Sequence, residues 1–211
     1  MGKKTSLKRI GRPPVDTVAE GERRAAIVRA ATTLFGQRGY AAVPLAEIAG
    51  MVGVTKAALY HHFSSKDDLY AAVMCELLQQ ISAGIRQTNH LDLPIAQKIR
   101  QLIETALHNM RQSTSMDTMM RDVREHLTPA QQARIAAAHQ EMDEALADVL
   151  RAGIRDGQLR DYDPRLLAHA FRHLLAGFSD DDHLRADPNA VQVVIDLFLH
   201  GILNDPAPNS S

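Results

Sequence analysis

The chain has 211 residues, 45% of them apolar and only 4% aromatic, with a single Cys and no Trp. That length suits a small domain beside a larger one with a core of its own. No apolar run reaches membrane-spanning length, no charged-then-apolar leader precedes the fold, and a lone cysteine excludes an internal disulfide, so a cytoplasmic protein without membrane contact is expected. The near-neutral total of 24 basic and 25 acidic residues hides an asymmetry. Residues 1–66 hold 11 Lys and Arg against 4 Asp and Glu, a net of +7, and the remainder 13 against 21, a net of −8. The first part suits a polyanion, and the second would be repelled by one.

Residues 1–20 read as a basic flexible arm. Its first fifteen, MGKKTSLKRIGRPPV, contain five basic residues, no acid and no helical periodicity. Arg9 and Arg12 lie beside Gly11 and Pro13-Pro14, and an Arg flanked by Gly and Pro fits a narrow A·T-rich minor groove. A solubilising terminus is the plainer reading of the same residues.

Residues 21–66 form the next unit. Ile27, Ala30, Ala31, Leu34 and Phe35 recur at helical spacing, and Gly36 and Gly39 bracket the end of that helix. A second, short helix fits from Pro44 to Met51, with Leu45, Ile48, Ala49 and Val52 inward. Gly53 supplies a turn, Val54 plugs the angle, and Thr55 caps a third helix from Lys56 to His61. With Leu59 and Phe63 inward, Thr55, Lys56, Ala57, Tyr60 and His61 are left outside. Such a set suits a recognition helix entering the major groove. Lys56 can reach a guanine edge or a phosphate, the methyls of Thr55 and Ala57 can meet a thymine methyl, and Tyr60 and His61 can donate to phosphates. Ser65 and Asp68 are spaced as a capping box for a fourth helix, whose free amides and Lys66 would seat a phosphate.

The elements LF…GY, IA…GV, LYHHF and SK..L, in that order between Arg24 and Leu69, resemble the TetR family of transcriptional regulators. The resemblance implies an all-α fold, with an N-terminal three-helix helix-turn-helix domain and a C-terminal helical domain for ligand binding and dimerisation. It places Thr55, Lys56, Ala57, Tyr60, His61 and Lys66 at DNA-contacting positions. One departure concerns Val43 and Pro44, where family members often carry Ser or Thr, so the hydroxyl that would cap the second helix and touch phosphate is missing.

Residues 67–205 read as helices throughout, bringing the total to about nine, with a frayed tail at 206–211. The fourth helix continues to about Arg86, with Cys75 among Leu69, Val73 and Leu77 as a small core side chain rather than a redox switch. A fifth runs from Pro94 to Arg111 and a sixth from Met116 to His126. Thr128-Pro129 starts a seventh, which Gly157 ends. Asp163-Pro164 opens an eighth through Phe178, and Asp187-Pro188 a ninth through Leu203.

The resemblance implies a small-molecule cavity among helices four to seven. Its candidate lining is Leu78, Ile81, Ile103, Leu107, Met110, Met119, Met120, Val123, Ile135 and Met142, with His108, His126 and His139 at the edge, although the same residues at helical spacing also describe a plain core. It also implies a dimer through helices eight and nine, whose stripes include Phe171, Leu174, Leu175, Phe178, Val194 and Phe198. Two-fold symmetry would set the recognition helices about 34–36 Å apart on a palindromic operator. His169 and His173 at i, i+4 have the spacing of metal ligands but no fixed third partner, so no metal or other cofactor is expected.

The expected function is therefore a dimeric, sequence-specific regulator of a double-stranded DNA operator, a repressor released by a small effector. The alternative is a ligand-independent, shape-reading architectural binder that uses the basic arm. An enzyme is disfavoured by the absence of a phosphate loop, a nucleophile elbow or an HExxH motif.

Overall fold

The computed structural model describes residues 15–112, 126–179, 187 and 189–203. Among them are eight helices and no strand: α1 (Val15–Arg38), α2 (Leu45–Val52), α3 (Lys56–His62), α4 (Lys66–Asn89), α5 (Ile95–Gln112), α6 (Pro129–Arg155), α7 (Pro164–Ser179) and α8 (Ala190–Ile202). The sixth helix expected from the sequence falls almost wholly on residues outside the described set, as do the tail and the first fourteen residues of the arm. Residues 15–20, expected in the arm, belong to α1.

Local chemistry sets most helix ends. Gly39 adopts φ +77° and donates to the Phe35 carbonyl at 2.8 Å, and Gly53 closes α2 at φ +72°, a conformation that costs glycine little. Thr55 Oγ1 accepts from the Ala58 amide at 3.1 Å. Thr128 and Gln131 form a full capping box with Pro129 in the first turn of α6. At α4 the box is divided: Ser65 accepts from the Asp68 amide, while the Asp68 carboxylate turns to the amide and hydroxyl of Ser64. Asp163 Oδ1 accepts the amides of Arg165 and Leu166 at the start of α7.

Two cores result. The first gathers Ile27, Phe35, Ile48, Leu59 and Phe63 with Leu69–Leu78 of α4, and it also takes in Leu127, Ile135 and Ala138. The second joins Ile99 and Ile103 of α5 with Leu146–Leu150 of α6, Phe171 and Leu175 of α7, and Val194 and Phe198 of α8. Helices α4 and α6 thus run through both, and Met142 touches each. The N-terminal head does not end at residue 66. Its core also takes in the first turns of α4 and the start of α6, where Leu69, Tyr70 and Leu127 are buried in the same cluster as Phe63.

Candidate nucleic-acid interface

Helix α3 is seven residues long and is held from beneath by buried Leu59 and Phe63. Arg24 of α1 covers the Phe63 ring, its guanidinium carbon 5.0 Å from the ring centroid. Fixing the underside of so short a helix leaves its outer face preset. That face carries Thr55, Lys56, Ala57, Tyr60 and His61, all exposed. Lys56 Nζ lies 5.8 Å from the Tyr60 ring centroid, so the cation rests beside an aromatic face and remains open to solvent. His61 Nε2 is 3.4 Å from Glu20 Oε1, an exposed contact between α1 and α3.

Lys66 is placed differently from these five. It is half-buried, with Nζ 4.2 Å from the Tyr40 ring centroid and 3.4 Å from the Ala41 carbonyl oxygen. Burial pushes its ammonium pKa down, and the Asp67 charge opposes that shift. The amides of Ser64 and Asp68 are occupied by side chains, and Asp67 and Asp68 bring two acids into the first turn. The phosphate seat read from the sequence is thus partly filled by the protein's own groups. At α2, Pro44 stands at the N-cap with no side-chain bond, and Val43 is fully buried. Arg9 and Arg12 lie outside the described residues.

Tyr40, unassigned by sequence reasoning, is the pivot of this region. Its ring packs against Phe35 and Tyr70 at 5.7 and 5.2 Å, and its phenol donates to the Asp67 carboxylate. Burial first, then that bond, raises the phenol pKa well above its usual value. The Gly39-Tyr40 pair was visible in the sequence, but its partner stands 27 residues away.

Leu78 of the first core and Ile103 of the second are fully buried and Leu107 nearly so, while Ile81 and Met142 are half-buried. Met119 and Val123, and the side chain of Met110, lie outside the described residues. A surface cavity of about 350 Å³ opens instead between α4 and α6, among Arg86, Asn89, His90, Asp148, Arg151 and Arg155. Ala145 and Ala152 complete its lining, which shares no residue with the apolar pocket expected from the sequence. Among the proposed interface residues, Phe171, Leu175, Val194 and Phe198 are buried inside the protomer and Leu174 is half-buried, while the Phe178 side chain lies outside the described set. The apolar residues exposed on α7 and α8 are Leu166 (68%), Val193 (46%) and Leu197 (63%). His169 and His173 stack at 6.1 Å, and Arg172 Nε pairs with Asp143 at 3.0 Å beside them.

A short capped helix with a polar outer face, set at an angle to a second helix across a glycine turn, defines a helix-turn-helix DNA-binding protein. Residues 27–73 match the model of the bacterial regulatory proteins of the tetR family, and residues 92–179 match that of the tetracyclin repressor-like C-terminal domain. The chain belongs to the TetR family of transcriptional regulators. It is 29% identical over 164 residues to the transcriptional repressor KstR2 of Rhodococcus jostii, covering 77% of this chain and 79% of that one. It is 31% identical over 148 residues to the transcriptional activator FasR of Mycolicibacterium smegmatis, covering 70% and 66%. The fold matches that of reduced E. coli NemR with a TM-score of 0.75 at 16% identity, over 89% of this chain and all of the other. These relatives are regulators rather than enzymes, and among the described residues no helix is long and apolar enough to cross a membrane.

Proposed function

We propose that this regulator acts as a two-fold dimer on a palindromic operator, represses transcription there, and leaves the DNA when a small amphipathic molecule binds. The observation that carries the reading is the preset outer face of α3, with Thr55, Lys56, Ala57, Tyr60 and His61 exposed over buried Leu59 and Phe63. Lys56 and the two methyl-bearing neighbours read base edges, while Tyr60 and His61 hold phosphates. Lys66 must leave the Tyr40 ring to reach a phosphate, so its contact forms on binding.

The dimer face proposed is the exposed stripe of Leu166, Val193 and Leu197, because Phe171, Leu175, Val194 and Phe198 are used inside the protomer. Repression follows the role of the relative KstR2, a repressor, with the activator FasR marking the opposite sense. The effector is the part that rests most on family resemblance. Among the described candidates, Ile81 and Met142 are half-buried, while Leu78, Ile103 and Leu107 are packed core.

Selection from a random duplex pool at near-physiological salt tests the DNA half. A recovered palindrome supports it. Recovery of A·T-rich sequence without symmetry overturns it and favours a shape-reading binder that uses Arg9 and Arg12. Removing residues 1–12 should weaken binding and flatten its salt dependence; unchanged affinity and slope would leave the arm without a role.

A further inference from the structure

The first turn of α4 is anchored on three sides. Lys66 and Asp67 hold the loop after α1 through Tyr40 and Ala41. Asp68 holds two elements at once. Its Oδ2 accepts the Ser64 amide at 3.2 Å and the Ser64 hydroxyl at 3.3 Å, while its Oδ1 accepts Arg134 NH1 of α6 at 3.2 Å. Ser64 directly follows Phe63, the buried residue that ends α3. One carboxylate therefore joins the exit of the recognition helix to a helix 66 residues further along the chain.

The same end of α6 packs on the head. Leu127, Ile135 and Ala138 belong to the first core, whereas Ala145–Leu150 belong to the second. At 27 residues and about 1.5 Å per residue, α6 is a rod of about 40 Å. Its Thr128–Gln131 capping box keeps the first turn wound where it meets the head. A helix packed at both ends carries displacement as a rigid body more readily than it bends.

We propose that Arg134 is a positioning residue for DNA recognition: through Asp68 and Ser64 it fixes the angle at which α3 leaves the head, and so the separation of the two α3 helices in the dimer. It touches no DNA. This rests on the palindromic reading above, and the spacing of the half-sites is what it controls. Asp68 is only 24% exposed and Arg134 47%, so the pair is shielded on one side and keeps a larger share of its attraction than two fully solvated charges.

The test compares wild type with Arg134→Met, Arg134→Lys and Arg151→Met on the palindrome recovered by selection, and on versions with one base pair added or removed at its centre. Arg151 lies on the same helix in exposed pairs with Glu144 and Asp148, away from the head, and serves as the control. The ratio of cognate to altered-spacing affinity should fall by about 2- to 30-fold in Arg134→Met. That range counts an exposed ion pair of about 0.2–1 kcal/mol once per head. Lysine, which keeps the charge, should restore most of it, and Arg151→Met should leave it unchanged. Amide exchange of residues 64–69 in the free protein should quicken in Arg134→Met alone. An unchanged spacing ratio in that variant overturns the positioning role, whatever happens to thermal stability. If wild type itself ignores spacing, the palindromic reading fails and exchange decides: faster exchange keeps Arg134 as the clamp on this turn, and unchanged exchange removes it.

Discussion

Alanine placed at Gly84 and at Gly153 should shift stability in opposite directions, although both glycines lie inside long helices. Glycine in a helix interior costs about 0.8–1 kcal/mol relative to alanine, because the unfolded chain gives up more freedom. At Gly84 of α4 a new Cβ would meet nothing within 4 Å, so the whole gain should appear. For a chain of this size that is a rise in Tm of about 2–4 °C. At Gly153 of α6 the Cβ would stand 2.7 Å from Ile95 Cγ1 and 2.9 Å from both Leu159 Cγ and Cδ1. Those are a methylene, a branch-point and a methyl carbon of buried residues that cannot swing away. The Leu159 amide donates to the Gly153 carbonyl at 3.1 Å, and the Ile95 amide to Gln158 Oε1 at 3.1 Å, so both backbones are pinned. Overpacking of this kind costs about 1–3 kcal/mol, which offsets the propensity gain and leaves a net loss of about 0–2 kcal/mol. Far-UV circular dichroism melts at one fixed protein concentration would read both, since any self-association makes Tm concentration-dependent. A Gly153→Ala protein melting at or above wild type would refute the packing argument.

Lys56→Ala should weaken operator binding about tenfold and lower the salt slope by about two units, one per subunit of the dimer, if the ammonium meets a phosphate, as read by anisotropy titrations across a salt series; binding equal to wild type would remove Lys56 from the interface. Leu197→Glu puts a charge on an exposed apolar stripe and should convert dimers to monomers in sedimentation, with folding intact. Phe198→Ala, one residue along but buried against Phe171 at 5.0 Å between centroids, should instead cost about 3–5 kcal/mol of stability. If Leu197→Glu remains dimeric, the interface lies elsewhere. Burial pushes the Cys75 thiol pKa up, with Arg134 and Arg24 partly offsetting it. Alkylation at neutral pH should therefore be slower than for a free cysteine, because the thiolate is the reactive form; equal rates would contradict that placement.

The helix-turn-helix was legible because its signals are local. Thr55 and the Ala58 amide, Gly53 and its left-handed turn, and the Thr128–Gln131 box each act within a few residues, where chain connectivity brings the partners together. The alternation of inward Leu59 and Phe63 with outward Lys56, Tyr60 and His61 follows from helical periodicity, and the structure keeps it residue for residue. The arm's boundary was less legible, since basic composition says little about where α1 begins.

By itself the sequence determined the helices whose ends carry local caps and which side of α3 faces outward, because those follow from spacing and capping within one or two turns. Tertiary structure alone decided what covers each apolar stripe. The stripes of α7 and α8 are broad enough to serve either a core or a partner, and packing assigned Phe171, Leu175, Val194 and Phe198 to the core while leaving Leu166, Val193 and Leu197 outside. It also decided that Leu78 and Ile103 are packed interior, that Lys66 folds back onto Tyr40, and that Arg134 meets Asp68 across 66 residues. Those partners come from distant parts of the chain, and no local pattern encodes which of several amphipathic helices will lie against which.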